Sequence, residues 1–291
     1  MVTEIRLRAH AKINLYLDVI GERRDGYHDI RSIMQSLALA DELVISKADE
    51  LKLSLSGEFK VPVENNLVLR VARALRDETG NKEGALIVLD KKVPVAAGLG
   101  GGSADAAAAL IGLNMLWGLD LSPSDLQIVG GKIGADIPFC LQGGICLVEG
   151  KGDKVSPLPY DFKAHVVIAK PFFSLSTADV YSSFDKVGST GISSIESINA
   201  ALGGGRLRNV SVLLANALEK VVILKYPLIN EIKERALQTG ALGVLMSGSG
   251  SSVFAIAESE KVAHKIAASL KDFCRDVIIT STYQKGVDIF L

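Results

Sequence analysis

From Ile5 to Val19 the odd positions read Ile, Leu, Ala, Ala, Ile, Leu, Leu and Val, while the even positions from Arg6 to Asp18 are all polar or aromatic. Alternation with a period of two predicts a half-buried strand, or two joined strands, with His10, Lys12, Asn14 and Tyr16 in a row on its polar face. Gly21-Glu22-Arg23-Arg24-Asp25-Gly26 follows as a turn, because Asp-Gly favours turn geometry. Further strands are expected at Asp41–Ser46, Lys52–Ser56, Ala85–Asp90 and Cys146–Glu149, and a helix from Leu67 to Glu78. An alanine-rich helix ends at Trp117 before Gly118, and Ser122-Pro123 opens another that runs to Ile133. Gly134-Ala135-Asp136-Ile137-Pro138-Phe139 then breaks away.

The second half predicts a strand at Ala164–Ala169, a helix at Ala178–Phe184 and a surface loop at Gly203–Arg206. An amphipathic helix at Tyr226–Thr239 stops at Gly240. Strands at Val244–Met246 and Val253–Ile256 flank Ser247-Gly248-Ser249-Gly250-Ser251-Ser252, and a helix at Glu260–Phe273 precedes a last strand at Val277–Tyr283. There is no internal repeat. Strands and helices that do not alternate regularly indicate α+β layers, and Val155–Asp161, with two prolines, is the expected border between units 1–156 and 157–291.

Composition narrows the class. The 291 residues are 48% hydrophobic and 22% charged, enough apolar material for two folded domains. Lys and Arg number 32 against 33 Asp and Glu, for a net charge of −1, so there is no footprint for nucleic acid and a small anion would have to be held locally. The three cysteines have no metal-ligand spacing and cannot all pair, and Cys140 and Cys146, in apolar surroundings, read as reduced core thiols. No apolar run reaches membrane-spanning length and the N-terminus has no signal core, which makes the cytoplasm the default expectation.

Pro94-Val95-Ala96-Ala97-Gly98-Leu99-Gly100-Gly101-Gly102-Ser103-Ala104-Asp105 is the chemical focus. Glycine is costly to order, and bare backbone feeding a helix start leaves open amides and the positive dipole end for an anion. Ser103 is expected to cap that helix and to reach a phosphate oxygen or a metal. The run is not a Walker A loop, since no Lys-Ser or Lys-Thr pair follows, and its third position breaks the dinucleotide pattern. Alone, the run favours an anion cradle, with a turn that lets strand and helix pack closely as the minority alternative.

Taken together, the Lys12 strand, the glycine run and the loop at 247–252 resemble, in order, the three motifs of the galactokinase–homoserine kinase–mevalonate kinase–phosphomevalonate kinase superfamily. Ala11-Lys12-Ile13-Asn14-Leu15, Arg24-Asp25-Gly26-Tyr27-His28, Gly100-Gly101-Gly102-Ser103-Ala104-Asp105 and the Gly134–Phe139 segment are similar to the branch whose acceptor is cytidine-diphosphate methylerythritol. The resemblance implies a ribosomal-protein-like N-terminal domain and a ferredoxin-like C-terminal domain with the site between them. It implies transfer of the ATP γ-phosphate to the 2-hydroxyl of that substrate, with Mg2+, in non-mevalonate isoprenoid biosynthesis. It further implies a monomer or homodimer.

Carried over by residue, Asp136 is the base and Lys12 lies beside it, which suits a reaction that asks for positioning, charge stabilisation and a late proton acceptor. Without the resemblance, Lys12 is a solvated strand lysine and Asp136 a turn former. Pro94 and Gly98 to Ala104 would hold the ATP phosphates. Tyr27 and His28 would hold the cytosine, with Tyr181 as the second ring wall, although ordinary packing also explains both tyrosines. Asn14, Thr177, Ser247, Gly248 and Gly250 would contact substrate, and Asn65, Asn66 and Lys92 would lie on the adenine side. The magnesium ligands stay open, since phosphates can supply most of them. His10 stands where many relatives have proline, and Ala104 where a second serine is frequent. A homoserine, mevalonate or sugar kinase is the main rival, opposed by the Asp-Gly-Tyr-His element. A nucleotide-binding regulator is opposed by the joint presence of Lys12 and Asp136.

Overall fold

The computed structural model describes residues 3–57, 63, 65–188 and 191–290. In chain order it comprises β1 (Glu4–Glu22), β2 (His28–Ala48), β3 (Leu51–Gly57), α1 (Leu67–Thr79), β4 (Gly84–Lys91), α2 (Gly101–Trp117), α3 (Pro123–Ile133), α4 (Ile137–Gln142), β5 (Ile145–Gly150) and β6 (Lys154–Pro157). These are followed by β7 (His165–Lys170), α5 (Thr177–Val187), α6 (Ile195–Gly203), α7 (Leu207–Ser211), β8 (Ala215–Asn216), α8 (Glu219–Lys225), α9 (Leu228–Gln238), β9 (Gly243–Met246), β10 (Val253–Ala257), α10 (Glu260–Leu270), β11 (Asp276–Ser281) and β12 (Val287–Phe290).

One sheet runs β12-β1-β2-β4-β3, with β5 and β6 continuing from the other half of β2 and β8 parallel to β1. Because β2 is 21 residues long, its far half pairs with β4 and its near half with β5. The second sheet, β11-β7-β10-β9, is antiparallel and takes its helices α9 and α10 between strands in βαββαβ order, which is the ferredoxin-like arrangement. The fold is thus α+β with two sheets. After residue 157 the chain is not confined to the second of them, since β8 and β12 return to β1.

α2 shows why the first layer is tight. Ala104, Ala106 to Ala109, Leu110 and Leu113 are all buried, so the helix is apolar on every side and sits inside the domain. Gly112 is its point of closest approach to the sheet: a Cβ there would come within 2.6 Å of Ile45 Cδ1. α3 opens with a reciprocal cap, in which Ser122 Oγ accepts from Asp125 N and Asp125 accepts from Ser122 N.

The 5–19 alternation forms one strand, yet its expected polar face is not solvated. His10, Lys12, Asn14 and Tyr16 are all buried: Tyr283 stacks on His10, Gly100 lies against the Lys12 stem and Gly248 against the Lys12 and Asn14 head groups, while Leu99 O accepts from Lys12 N at 2.9 Å and Leu17 O from Ala217 N at 2.9 Å. Bulges at 10/12, 14/16 and 19/21 let the strand turn through this double contact. The Asp41–Ser46 segment is only the far half of β2. Residues 28–40 lack clean alternation because both faces of that half are covered. α7, α8, β8 and β12 are too short to carry a period, whereas α6 has one in Ile195, Ile198 and Leu202 behind the Ser194 cap that the expected elements omit.

β12 is held by a side-chain cluster. His10 Nδ1 meets Leu37 O at 2.9 Å and Nε2 meets Asp288 Oδ2 at 3.1 Å, while Tyr283 donates its hydroxyl to Asp288 Oδ2 at 2.7 Å and stacks on the imidazole at 4.2 Å. Burial alone would raise the Asp288 carboxyl, but hydrogen bonds from Tyr283, Lys285 and His10 outweigh it and hold the pKa at about 2. A carboxylate depressed in the folded state stabilises at pH above its unfolded value of about 3.9, and that contribution fades as pH falls toward 2. Asp288→Asn is therefore expected to cost about 1–3 kcal/mol at neutral pH, read by urea unfolding. The gap between the two proteins should close from about pH 4 downward; a gap that stays constant to pH 2 removes the ionised carboxylate from this role.

Candidate active site

Between the sheets lies a cleft of about 580 Å³, within the range of ligand sites. Its floor is β1, one wall is the 94–103 segment with the start of α2, and the other is Thr177, Tyr181 and the loop at 248–250. Gly98 has φ +73° and a Cβ on it would stand 2.0 Å from Ser247 O, so the two glycine-containing loops meet as bare backbone. Ser247 Oγ donates to Gly98 O at 2.9 Å and Ser252 N to Ala97 O at 3.2 Å, which locks them.

The sequence expectation that Ser103 caps α2 is corrected here. The capping position belongs to Gly100, left-handed at φ 68°, with no side-chain cap bond. A Cβ at Gly100 would lie 2.8 Å from Lys12 Cγ, so only glycine lets the helix start sit on the lysine stem. Ala104 N makes the first helical bond, to Gly100 O at 2.9 Å, leaving the amides of Gly101, Gly102 and Ser103 without a helical acceptor. Ser103 lines the cleft, while Ala104 is buried behind it.

Lys12 reaches across this floor. Its Nζ donates to Asn14 Oδ1 at 2.8 Å and stands 3.5 Å from Asp136 Oδ2. Asn14 Nδ2 donates to Ser32 Oγ at 2.8 Å, and Ser32 to Tyr16 O at 2.6 Å, so the row is orientated from behind. Asp136 stands immediately before α4, where Pro138 turns the chain back. Its carboxylate is about a third exposed, against 5% for the lysine side chain. A buried ammonium and an accessible carboxylate facing an open helix start can hold a polyanion and receive a proton.

Asn65, Asn66, Pro94, Leu99, Gly101, Gly102, Gly248 and Gly250 also line the cleft. Thr177 Oγ1 lies 2.9 Å from Ser249 Oγ across its mouth. Ser247 does not line the cleft; it is fully buried and acts on the loops. Lys92 is turned to Glu42, 3.1 Å away, and does not line the cleft, because it falls on the outward face of its strand end. Tyr27 is 55% exposed at the β1–β2 turn, with Lys151 Nζ 5.5 Å from its ring centre. His28 Nε2 is 2.7 Å from Asp185 Oδ1, and its ring packs on Tyr181 at 4.7 Å. Burial, and secondarily the charge of Asp136, raise the Tyr181 hydroxyl pKa, so it stays protonated. The three cysteines are free and buried.

The Lys91-Lys92 pair ahead of the loop reads from sequence as a solvated face, and for Lys91 the structure corrects this. It is 2% exposed and forms ion pairs at 2.5 Å with Asp41 and at 2.8 Å with Asp105, directly behind the first turn of α2. The signal was there: Ala85, Ile87, Leu89 and Lys91 all point inward from β4, and Lys91 simply extends the apolar face. Burial alone would lower the Lys91 pKa, but the two carboxylates more than offset it and raise it. Burial first, then the Asp41 charge, push the Asp105 carboxyl well up, and its Oδ1 has no hydrogen-bond partner.

A site built from a glycine-rich helix start, a lysine–carboxylate pair and a ferredoxin-like second layer is that of a small-molecule kinase. The model for the GHMP kinases N terminal domain matches residues 66–144 and that for GHMP kinases C terminal matches residues 195–276, on the two sides of the cleft. The chain belongs to the GHMP kinase family and is an ATP-dependent small-molecule kinase. Among its relatives, 4-diphosphocytidyl-2-C-methyl-D-erythritol kinase of Thermoanaerobacter pseudethanolicus is 38% identical over 99% of both chains. The enzyme of the same name from Acetivibrio thermocellus is 42% identical over 96% of this chain and 99% of its own. A crystal structure of 4-(cytidine 5'-diphospho)-2C-methyl-D-erythritol kinase superposes with a TM-score of 0.80 at 31% identity, covering 95% of this chain and 98% of that one.

Lys91→Met leaves two carboxylates buried without a cation and is expected to cost about 3–5 kcal/mol. Asp105→Asn, which removes the carboxyl that burial disfavours, should cost far less. Chemical denaturation of both variants decides: equal losses would mean that the cluster acts through packing rather than charge.

Proposed function

We propose that this kinase transfers the γ-phosphate of ATP to the 2-hydroxyl of 4-diphosphocytidyl-2-C-methyl-D-erythritol, in isoprenoid precursor synthesis by the non-mevalonate route. The observation that carries the reading is the Lys12–Asp136 contact of 3.5 Å opposite the open amides of α2. The γ-phosphate rests on the amides of Gly101, Gly102 and Ser103, with the helix dipole behind them. Asp136 Oδ accepts the proton of the acceptor hydroxyl as its oxygen meets phosphorus. Lys12, fixed by Asn14, stands beside Asp136 and turns its remaining donors to the oxygens that gain charge.

The acceptor's identity rests on the far end of the cleft. There Tyr181 lines the cleft and offers an aromatic wall to a base, while His28, held by Asp185, packs on Tyr181 without lining the cleft itself, and Tyr27 stands next to it in the chain. Ser103 Oγ, on the cleft wall beside the open amides, is a hard oxygen, which suits Mg2+ held mainly through nucleotide phosphates. Bound there, Mg2+ would neutralise charge on the transferring phosphoryl group. No helix among the described residues is long and apolar enough to cross a membrane, and we place the protein in the cytoplasm, as a monomer or homodimer. The domain border in this reading lies between 156 and 157, with β8 and β12 crossing it.

Purified protein given ATP, Mg2+ and 4-diphosphocytidyl-2-C-methyl-D-erythritol should release ADP in step with substrate loss. Turnover of mevalonate or homoserine in its place would sink the assignment. Asp136→Asn should lose about 10²–10⁴-fold in kcat with KM within a small factor of wild type; full activity would remove it as base. Tyr27→Ala should weaken acceptor binding by about 1–3 kcal/mol, read in KM, with kcat nearly unchanged; an unchanged KM refutes the stacking role.

A further inference from the structure

Asn216 is 6% exposed and is the second residue of β8, paired to Leu17, three residues beyond Asn14 on β1. Its amide is fully committed. Nδ2 donates to Met246 O and to Gly248 O, both at 2.8 Å, and Oδ1 accepts from Leu218 N at 2.9 Å. Three residues on, Glu219 Oε1 accepts from Met246 N at 2.8 Å while its other oxygen is ion-paired to Lys233. Both backbone groups of Met246 and the carbonyl of Gly248 are therefore gripped from one corner of the fold.

Gly248 is the residue that covers the reactive pair. A Cβ on it would lie 3.4 Å from Lys12 Nζ, 3.4 Å from Asn14 Oδ1 and 3.4 Å from Gly98 O. We propose that Asn216 is a positioning residue for catalysis: by holding Met246 O and Gly248 O it sets the spacing between the 247–250 loop and the Lys12–Asn14 row. That spacing defines the room in which an acceptor hydroxyl can approach the transferring phosphate. The inference rests on the kinase reading. Only asparagine places two N–H donors and one carbonyl acceptor on so short a stem. An aspartate keeps the shape, but turns lone pairs toward two carbonyl oxygens that then lose their donors.

The test compares Asn216→Asp and Asn216→Ser with wild type. Both should lose on the order of 10²-fold in kcat with ATP KM little changed, the expected cost of displacing a reacting group by about 1 Å. In the aspartate variant, activity relative to wild type should recover toward acid pH, because the protonated carboxyl again donates to one carbonyl. The charged groups around it are Glu219 with Lys233 behind it, and Lys12 across Gly248. The serine variant, smaller and uncharged, should show no such recovery and keeps the question open to measurement should the aspartate protein not fold. Without any substrate, hydrogen exchange at the amides of Ser247, Gly250 and Ser252 should quicken on the order of tenfold in both, about one hydrogen bond's worth of opening.

Wild-type kinetics in either variant, or a loss that is flat with pH and accompanied by faster exchange across both sheets, overturns the proposal. If wild type itself fails to turn over the cytidine-diphosphate acceptor, the substrate assignment falls, whereas exchange at these three amides still decides whether Asn216 holds the loop.

Discussion

The cleft depends on two loops meeting through backbone alone. With 2.0 Å between an added Cβ at Gly98 and Ser247 O, any side chain at that point would force the sheets apart. Once the loops touch, Ser247 Oγ and Ser252 N close hydrogen bonds to Gly98 O and Ala97 O, and Leu99 O takes the amide of Lys12. The lysine stem is then trapped beneath Gly100, and its ammonium has nowhere to point except along Asn14 to Asp136. Loop contact, lysine burial and helix start form a single arrangement.

Charge is managed the same way. A chain with net charge −1 has no general attraction for polyanions, and the phosphate loop lacks a lysine of its own. Cationic character is supplied locally by the open amides of α2 and by Lys12, with Lys91 buried behind the loop. Lys91 is neutralised by Asp41 and Asp105, so it firms the turn entering the loop; Asp41 also accepts from the amides of Lys92 and Val93.

Much of the fold was legible where the pattern was strong: β1 carries clean alternation, α1, α2, α3 and α9 are bounded by a capping residue or a glycine stop, and β10 is a short unbroken apolar run beside a turn. The gaps have physical causes. Residues 28–40 are covered on both faces, which erases alternation, and β8 and β12 are too short to carry a period. In the site, Lys12, Asn14, Asp136, the glycine run, Thr177 and Tyr181 were named from motifs and come together around one cleft. Lys92 was grouped with them, although β4's alternation turns it outward and sends Lys91 inward instead. Ser103 was given a capping role that the lysine beneath Gly100 reserves for glycine.

The linear chain determined which chemistry is available: a bare, glycine-rich helix start, a lysine, a carboxylate, and aromatic groups beside a turn. Those identities depend on composition and local spacing, which act over a few residues. Tertiary structure decided which groups are buried, which are paired and how far apart they stand. Lys12 becomes a fixed ammonium only when a loop some 240 residues away closes over it, and Asn216 gains its part only from carbonyls that another sheet supplies. Desolvation and hydrogen-bond distance are properties of neighbours in space, and no local pattern records who those neighbours will be.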